Sequence, residues 1–218
     1  MSVVLAQPEA ARAVTDAASF QAATGATPAQ MADLHAYLAL LAEWNEKMNL
    51  VGPSALAEFW SRHAWDSAQL LKLAPDAEVW ADLGAGAGFP GIVLAIFLKG
   101  REGAQVHLIE SMTKRCTFLR AVVEALALPA AVHNARAEEL KIVVDIVTAR
   151  ACAPMVRLLG YARPYLRTGA TALFLKGRDV VSEIAEAETA WKFSYALRPS
   201  QSDPSGQIVV ISGDVRER

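Results

Sequence analysis

The chain has 218 residues, 53% of them hydrophobic, which is enough apolar material to bury a sizeable core as one domain. Its two cysteines, Cys116 and Cys152, cannot build a disulfide framework, and its four histidines lack ligand spacing, so a metal-free protein of the cytoplasm is predicted. No window approaches 18 unbroken apolar residues, and no membrane span is expected.

The formal net charge is −2, but the charges are unevenly distributed. Residues 1–110 hold 6 basic and 12 acidic side chains, whereas residues 112–178 hold 11 basic and 4 acidic ones. A local basic surface can bind phosphates whatever the total charge. The second segment is therefore a candidate nucleic-acid surface, with scattered solvated arginines as the alternative.

Residues 1–26 are rich in Ala, Thr and Gln without firm periodicity, which predicts a loose arm. Thr27–Gln30 (TPAQ) is a capping box with proline at the first helical position, and it begins an amphipathic helix. A second helix is predicted from Pro53. The two helices form a predicted cap over residues 27–75, packed in one compact domain with a core over residues 76–218.

The second cap helix carries Arg62, His63 and Asp66 one turn apart on a shared face. One interpretation is an Arg–Asp surface pair with a neighbouring histidine. The other is that the cap leans this cluster over the ligand-binding loop that follows in the chain.

That loop lies in the stretch Val79–Gly91 (VWADLGAGAGFPG), which predicts a strand, a glycine loop and a helix. Its glycines, Gly84, Gly86 and Gly88, let a ligand lie close to the backbone. The acid Asp82 stands at the strand tip.

Two ligand classes compete for this loop. Residues 86–91 match the dinucleotide pattern GxGxxG, and the acid Glu110 follows about 20 residues later. Asp82 argues against a dinucleotide, because a carboxylate at this point would repel a pyrophosphate. S-adenosylmethionine carries a sulfonium and an ammonium instead, and a carboxylate stabilises both.

The next unit is a predicted strand, Gln105–Glu110, followed by a helix over Thr113–Leu126. Glu110 at the strand tip can accept hydrogen bonds from the ribose hydroxyls of an adenosine. Lys114 and Arg115 in the first turn of the helix oppose its macrodipole, which suggests a functional role in contacting phosphate.

The rest of the chain continues the alternation and then closes with a hairpin. Strands are predicted over residues 130–134, 143–148 and 171–175, and a hairpin over 192–197 and 207–211. This order predicts a doubly wound α/β sheet with an antiparallel edge strand. The chemically interesting side chains then share the ligand-binding edge of the sheet, where strands end in Asp82, Glu110, Glu138, Arg150 and Lys176.

The methyl acceptor is open to two interpretations at this point. Cys152 could be the nucleophile that cytosine carbon methylation requires, or a small apolar filler. A ring nitrogen with a free lone pair, such as guanine N7, needs neither base nor nucleophile, only orientation and a suitable field.

A set of motifs resembles a known family, the bacterial small-subunit ribosomal RNA guanine-N7 methyltransferases of the glucose-inhibited division protein B type. The resemblance runs from about Trp44 to Ile211. The motifs that carry it are WNEKMNL (44–50), RHAWDS (62–67), DLGAGAGFPG (82–91), ESMTKRCTFLR (110–120), ARA (149–151) and LKG (175–177).

The resemblance implies a Rossmann-like class I fold and S-adenosylmethionine-dependent methylation of 16S rRNA. The target would be N7 of a guanine, position 527 in the usual rRNA numbering, in the decoding-region 530 loop. The partner would be 16S rRNA or the assembling small subunit, and the protein is expected to act as a monomer, without metal or membrane.

The resemblance also implies site residues. The cofactor positions are Gly84, Phe89, Ala137, Glu138 and Arg150, with Asp82, Gly86, Gly88 and Glu110 alongside. The RNA positions are Asn49, Arg62, His63, Lys114, Arg115 and Lys176.

Several alternatives remain open from the sequence. Arg150 and His63 are the catalytic candidates, in positioning roles only. Arg150 either pairs with a carboxylate at the cofactor, that of Glu138 or that of the donor itself, or binds RNA phosphate. The competing functions are methylation of another RNA base, a nicotinamide-dependent oxidoreductase, and a non-catalytic RNA-binding module.

Overall fold

A computed structural model of the chain describes residues 14–218. Its helices are α1 (Ala17–Thr24), α2 (Pro28–Met48), a π-helix (Phe59–Ala64), α3 (Trp65–Leu73), α4 (Gly91–Leu98), α5 (Thr113–Ala125), a 3₁₀ turn (Ala137–Glu139), α6 (Met155–Leu166) and α7 (Val180–Ala190). Its strands are β1 (Val79–Leu83), β2 (Gln105–Glu110), β3 (Ala130–Asn134), β4 (Ile146–Arg150), β5 (Thr171–Lys176), β6 (Trp191–Lys192), β7 (Tyr195–Pro199), β8 (Gln207–Ile211) and β9 (Arg216–Glu217).

Seven strands form one sheet in the order β3-β2-β1-β4-β5-β8-β7. Strands β1 to β5 pair in parallel, while β8 runs antiparallel to both β5 and β7. The hairpin therefore inserts its second strand beside β5 and leaves β7 outermost. The strand order reverses between β1 and β4, and ligands of such sheets bind outside the carboxyl ends at that point.

The sheet separates two hydrophobic cores. One contains the N-terminal helices together with α4 and α5, and the other contains α6 and α7. Strand β1 serves both, because Trp80 packs into the first core and its neighbours Ala81 and Leu83 pack into the second. The predicted doubly wound fold with a helical cap is confirmed, and the helices of residues 14–218 lack the combination of length and apolar character that crossing a bilayer requires.

The N-terminal arm differs from the expectation where the structure describes it. The first half of the predicted arm, residues 1–13, lies outside the described residues. Residues 17–24 form helix α1, which Asp16 and Ser19 cap reciprocally. Its Phe20 is fully buried, with its ring centroid 5.4 Å from that of Trp60. Burial of the Phe20 side chain thus anchors α1, although the apolar residues of this segment show no helical periodicity.

The second cap helix also differs from the expectation. Turns occupy residues 53–58, and the π-helix then leads directly into α3. The amide of His63 donates to the carbonyl oxygen of Glu58 over 3.3 Å, which is the five-residue spacing of a π-helix. The wider turn falls at Arg62 and His63, two of the predicted site residues.

Candidate active site

Two cavities meet at the carboxyl edge of the sheet. The smaller, about 250 Å³, lies among the tips of β1 and β2, the segment after β3 and the 3₁₀ turn. The larger, about 610 Å³, lies between the π-helix, the tips of β4 and β5, and the loop that joins β7 to β8. Ala151 and Cys152 line both cavities and form the wall between them.

Gly84 brings the glycine loop against this shared wall. Its φ is +68°, and a Cβ at this position would lie 2.7 Å from Sγ of Cys152. Only glycine fits without a shift of the wall. Gly84, a predicted cofactor position, lines the smaller cavity.

Glu110 is the acid that lines the smaller cavity. Its Oε2 accepts a hydrogen bond from the Gly86 amide (3.1 Å) and its Oε1 accepts from the Met112 amide (2.8 Å). Nη1 of Arg115 lies 3.6 Å from Oε2. Arg115 therefore lines the smaller cavity, because the first turn of α5 starts directly beyond the β2 tip.

The 3₁₀ turn supplies the opposite side of this cavity. Ala137 and Glu138, two further predicted cofactor positions, both line it. The hydroxyl of Tyr165 in α6 donates to the Ala137 carbonyl oxygen over 2.7 Å, which fixes the turn against the second core.

Asp82 lies elsewhere than predicted. Its side chain is fully buried and lines neither cavity. Oδ2 accepts from the Gly91 amide over 2.9 Å, and Oδ1 is buried without a hydrogen-bond partner among the described residues. Burial raises the pKa of this carboxyl to about 7. Asp82 therefore supports the start of α4 from beneath, where Gly91 leaves room for it, and does not face a ligand.

The far side of the glycine loop is gripped by the cap. The two cavities are not lined by Gly86, Gly88 or Phe89. The hydroxyl of Tyr37 in α2 donates to the Ala87 carbonyl oxygen over 2.6 Å. Phe89 is buried, and its ring contacts those of Tyr37, Phe59 and His63 at centroid distances of 5.4, 5.9 and 5.0 Å.

Arg150 at the tip of β4 lines the larger cavity. Its Nη1 lies 3.3 Å from Oδ2 of Asp66, and its guanidinium lies over the Phe89 ring at 5.0 Å. The expected pairing with Glu138 is thus wrong, because the cap brings Asp66 to this guanidinium instead. Burial lowers the pKa of Arg150, and the Asp66 carboxylate opposes that shift.

His63 stacks on Phe89 and lines the larger cavity. Both ring nitrogens are buried, and nothing in the part of the chain that the structure describes hydrogen-bonds to them. Burial, together with the charges of Arg150 and Arg62, lowers the pKa of His63 to about 4, so the imidazole is neutral at physiological pH. The cap does lean its Arg–His–Asp cluster over the glycine loop, as the second interpretation of that cluster predicted.

The larger cavity is lined by three ion pairs. Besides Arg150 and Asp66, Nη2 of Arg62 lies 3.4 Å from Oδ2 of Asp203, and Nζ of Lys176 lies 2.6 Å from Oε2 of Glu183. Lys176 also donates to the Ala153 carbonyl oxygen over 2.8 Å, so it braces the segment after β4. Each of these three cations is already neutralised by an acid.

Two predicted RNA residues stand apart from both cavities. Lys114 is exposed in the first turn of α5. Asn49 is exposed at the end of α2, where it takes a left-handed conformation with φ 49° as the C-cap. Neither lines either of the two cavities.

Sequence reasoning missed the loop that joins β7 to β8, residues 200–206. Its sequence, SQSDPSG, indicates only a turn, although five of its seven residues carry polar side chains that can bridge elements. The partners of that loop are also residues without a motif, notably Gln69, which is 2% exposed. Within residues 14–218, no group of three or more His, Cys, Asp or Glu side chains is arranged to hold a metal ion.

Comparison with known proteins adds the family. A family model described as rRNA small subunit methyltransferase G matches residues 30–204. The chain belongs to this family. That membership confirms the predicted resemblance and does not support the nicotinamide-dependent alternative.

Relatives within the family are similar over most of their length. A ribosomal RNA small subunit methyltransferase G from Caulobacter sp. (strain K31) is 71% identical over 198 residues, which cover 91% of this chain and 90% of the relative. One from Caulobacter vibrioides (strain NA1000 / CB15N) is 65% identical, covering 93% of this chain and 94% of the relative.

Solved structures of low sequence identity share the fold. A SAM dependent methyltransferase from Aquifex aeolicus superposes with a TM-score of 0.54 at 14% identity, covering 80% of this chain and 97% of that one. The structure of MtNAS in complex with MTA and tNA superposes with a TM-score of 0.54 at 15% identity. The match covers 92% of this chain and 82% of that one. The Rossmann-like methyltransferase architecture is thereby confirmed.

Proposed function

We propose that the protein methylates N7 of a guanine in the 530 loop of 16S rRNA, position 527 in the usual rRNA numbering, with S-adenosylmethionine as the donor. The observation that carries the proposal is the shared wall of Ala151 and Cys152, across which a donor in the smaller cavity meets an acceptor in the larger one. When bound, S-adenosylmethionine supplies an electrophilic methyl carbon on its sulfonium.

The residues of the smaller cavity fit such a donor. Gly84 lets the glycine loop lie against Cys152, where a Cβ would not fit. Glu110 offers a buried carboxylate at the tip of β2. Glu138 adds a second negative charge to the lining, with Ala137 beside it. Arg115 and Arg136 also line this cavity, so its acids and arginines balance in number. Glu110 and Glu138 supply carboxylates that would accept hydrogen bonds from the donor.

The residues of the larger cavity fit a base better than a phosphate. Arg62, Arg150 and Lys176 are paired with carboxylates, and His63 is neutral, so the lining formed by the described residues offers no free cation for an anion. A guanine turned out of its stack would enter this cavity beside the neutral His63.

Guanine N7 suits this lining chemically. Its lone pair attacks the methyl carbon directly, so no side chain has to remove a proton. The purine gains positive charge as the bond forms, and each cation of the larger cavity is paired with an acid, so no unpaired cation among the described lining residues opposes that charge. Arg150 keeps the shared wall in place and contacts no proton that moves.

The substrate would be 16S rRNA or the assembling small subunit, met in the cytoplasm by a monomer. Lys114, exposed beyond the smaller cavity, is a candidate phosphate contact outside the cavities.

The test incubates the protein with isotope-labelled S-adenosylmethionine and small-subunit RNA that lacks the modification, free or in subunits, and maps the label by cleavage specific for N7-methylguanine. We expect one labelled guanine, in the 530 loop. Label on another base would contradict the proposed target, and RNA binding without donor binding would favour the non-catalytic module.

A further inference from the structure

The loop of residues 200–206 is fastened to the cap by a polar network. Nε1 of Trp65 donates to the Gln201 carbonyl oxygen over 3.0 Å, and the Gln201 amide donates to Oε1 of Gln69 over 2.8 Å. Nε2 of Gln69 donates to Oγ of Ser200 over 3.1 Å. This loop, through Ser200 and Asp203, lines the larger cavity, so the network holds one of its walls.

Asp66 connects this wall to the sheet, because its two carboxylate oxygens serve different elements. Oδ1 accepts hydrogen bonds from the hydroxyl of Ser202 and from Nε2 of Gln69, the latter over 3.2 Å. Oδ2 faces Arg150 at 3.3 Å. A carboxylate is planar and rigid, so a movement of the loop that turns Oδ1 also turns Oδ2 away from Arg150.

Arg150 passes that movement on to the shared wall. It directly precedes Ala151 and Cys152 in the chain, and Ala151 has a φ of 51° that is uncommon for a residue with a side chain. Its guanidinium also packs on Phe89 of the glycine loop. Both contacts join the larger cavity to the backbone that surrounds the smaller one.

We propose that Asp66 is a positioning residue that couples closure of the 200–206 loop over the target nucleotide to donor binding across the shared wall. The identity of the two ligands rests on the proposed function. Coupling of this kind is reciprocal: the donor stabilises the closed loop, and the closed loop strengthens donor binding by the same factor.

The experiment measures hydrogen exchange of the amides of residues 200–206 with and without saturating S-adenosylmethionine. In the wild-type protein, the donor should slow their exchange by about fivefold or more, the lower end of typical coupling factors. In Asp66→Asn at saturating donor, the protection should disappear, because the amide cannot pair with Arg150 while accepting from Ser202.

Two further variants separate the coupling from simple stability. Gln69→Leu and Ser202→Ala release the loop without touching Arg150, so exchange should be fast without donor, KM for the RNA should rise at least about fivefold, and kcat should stay within about twofold. Glu43→Gln is the control, since it removes an acid from an exposed pair with Lys47 on α2. All variants are compared at equal distance below their own Tm.

Donor protection that persists in Asp66→Asn, or that is absent in the wild type, would overturn the coupling. So would an unchanged KM for RNA in both loop variants. These outcomes are distinct from failure of the proposed function, because exchange needs only protein and donor: a protein that shows the coupling but leaves the 530 loop unmethylated refutes the target alone.

Discussion

The two cavities are built in different ways. The smaller one lies at the tips of β1 and β2, and residues of the 3₁₀ turn, α5 and α6 complete its lining. The larger one is formed by side chains from the π-helix, β4, β5 and the 200–206 loop, which meet through ion pairs and hydrogen bonds. The geometry of the larger cavity should therefore depend on its ion pairs. The geometry of the smaller cavity should depend on the close backbone approach that Gly84 permits.

The largest expected effect tests whether Asp82, the acid beneath the glycine loop, is buried in its protonated form and serves the stability of the fold. The pKa of Asp82 is raised to about 7, so the folded state keeps a proton that the unfolded state releases above its pKa of 3.8. Wild-type stability should therefore lose a contribution as pH rises from 4 to 8. The free energy of unfolding of Asp82→Asn, measured relative to that of the wild type, should therefore rise by on the order of 4 kcal/mol between pH 4 and pH 8.

Urea unfolding of both proteins at pH 4.5, 6 and 8 measures this difference. Glu43→Gln, an exposed acid replaced in the same way, should show no such trend. Parallel pH profiles for Asp82→Asn and wild type would mean that Asp82 is ionised in the fold and available to a ligand after all.

The next effect concerns the close approach of Gly84 to Cys152. In Gly84→Ala, the new Cβ meets Sγ of Cys152 and the residue must keep its positive φ. We expect a loss of about 2–3 kcal/mol in donor binding, or roughly 30-fold to 150-fold in Kd. Titration calorimetry with S-adenosylmethionine measures it.

Gly100 provides the matched control for this variant. It has a φ of +85°, and no atom of the described residues lies within 4 Å of the point that a Cβ would occupy, so Gly100→Ala shares the backbone strain without the contact. Its donor Kd should stay within about twofold of the wild type. Equal losses in the two variants would assign the effect to backbone strain and not to the closeness of loop and wall.

The smallest expected effect is on the salt dependence of RNA binding. It distinguishes Lys114, outside the cavities, from Arg115, which lines the smaller one. Lys114 is exposed, whereas Arg115 faces Glu110 in the smaller cavity. Lys114→Gln should therefore reduce the salt dependence of RNA binding by close to one phosphate contact, a change of about 0.7–0.9 in the log–log slope. Arg115→Gln should leave that slope unchanged and weaken donor binding. Filter binding across a series of salt concentrations measures both, and identical slopes in the two variants would refute the division.

The same division explains how far the sequence could predict the molecule. The glycine loop, Glu110 and the strand alternation follow from local patterns, because strand tips and glycines indicate their own conformation. The cap helix α2 is predictable for the same reason, since its capping box and apolar spacing are local.

What the sequence could not show depends on partners far apart in the chain. Asp82 is expected at the ligand because it ends a strand, but the space under Gly91 accommodates it. One of the two interpretations pairs Asp66 locally with Arg62, but Asp66 pairs with Arg150, 84 positions away, and Arg62 pairs with Asp203. Ion-pair partners are chosen by the tertiary fold, and one sequence carries no signal of that choice.

The free thiol of Cys152 has a consequence for an enzyme that handles an alkylating agent. A thiolate beside a methyl sulfonium would itself be methylated, because thiolates are strong nucleophiles. Burial and the nearby acids raise the pKa of this thiol to about 11, so it stays protonated at neutral pH. Under the proposed function, the protein can place sulfur next to its reagent and still be spared self-inactivation.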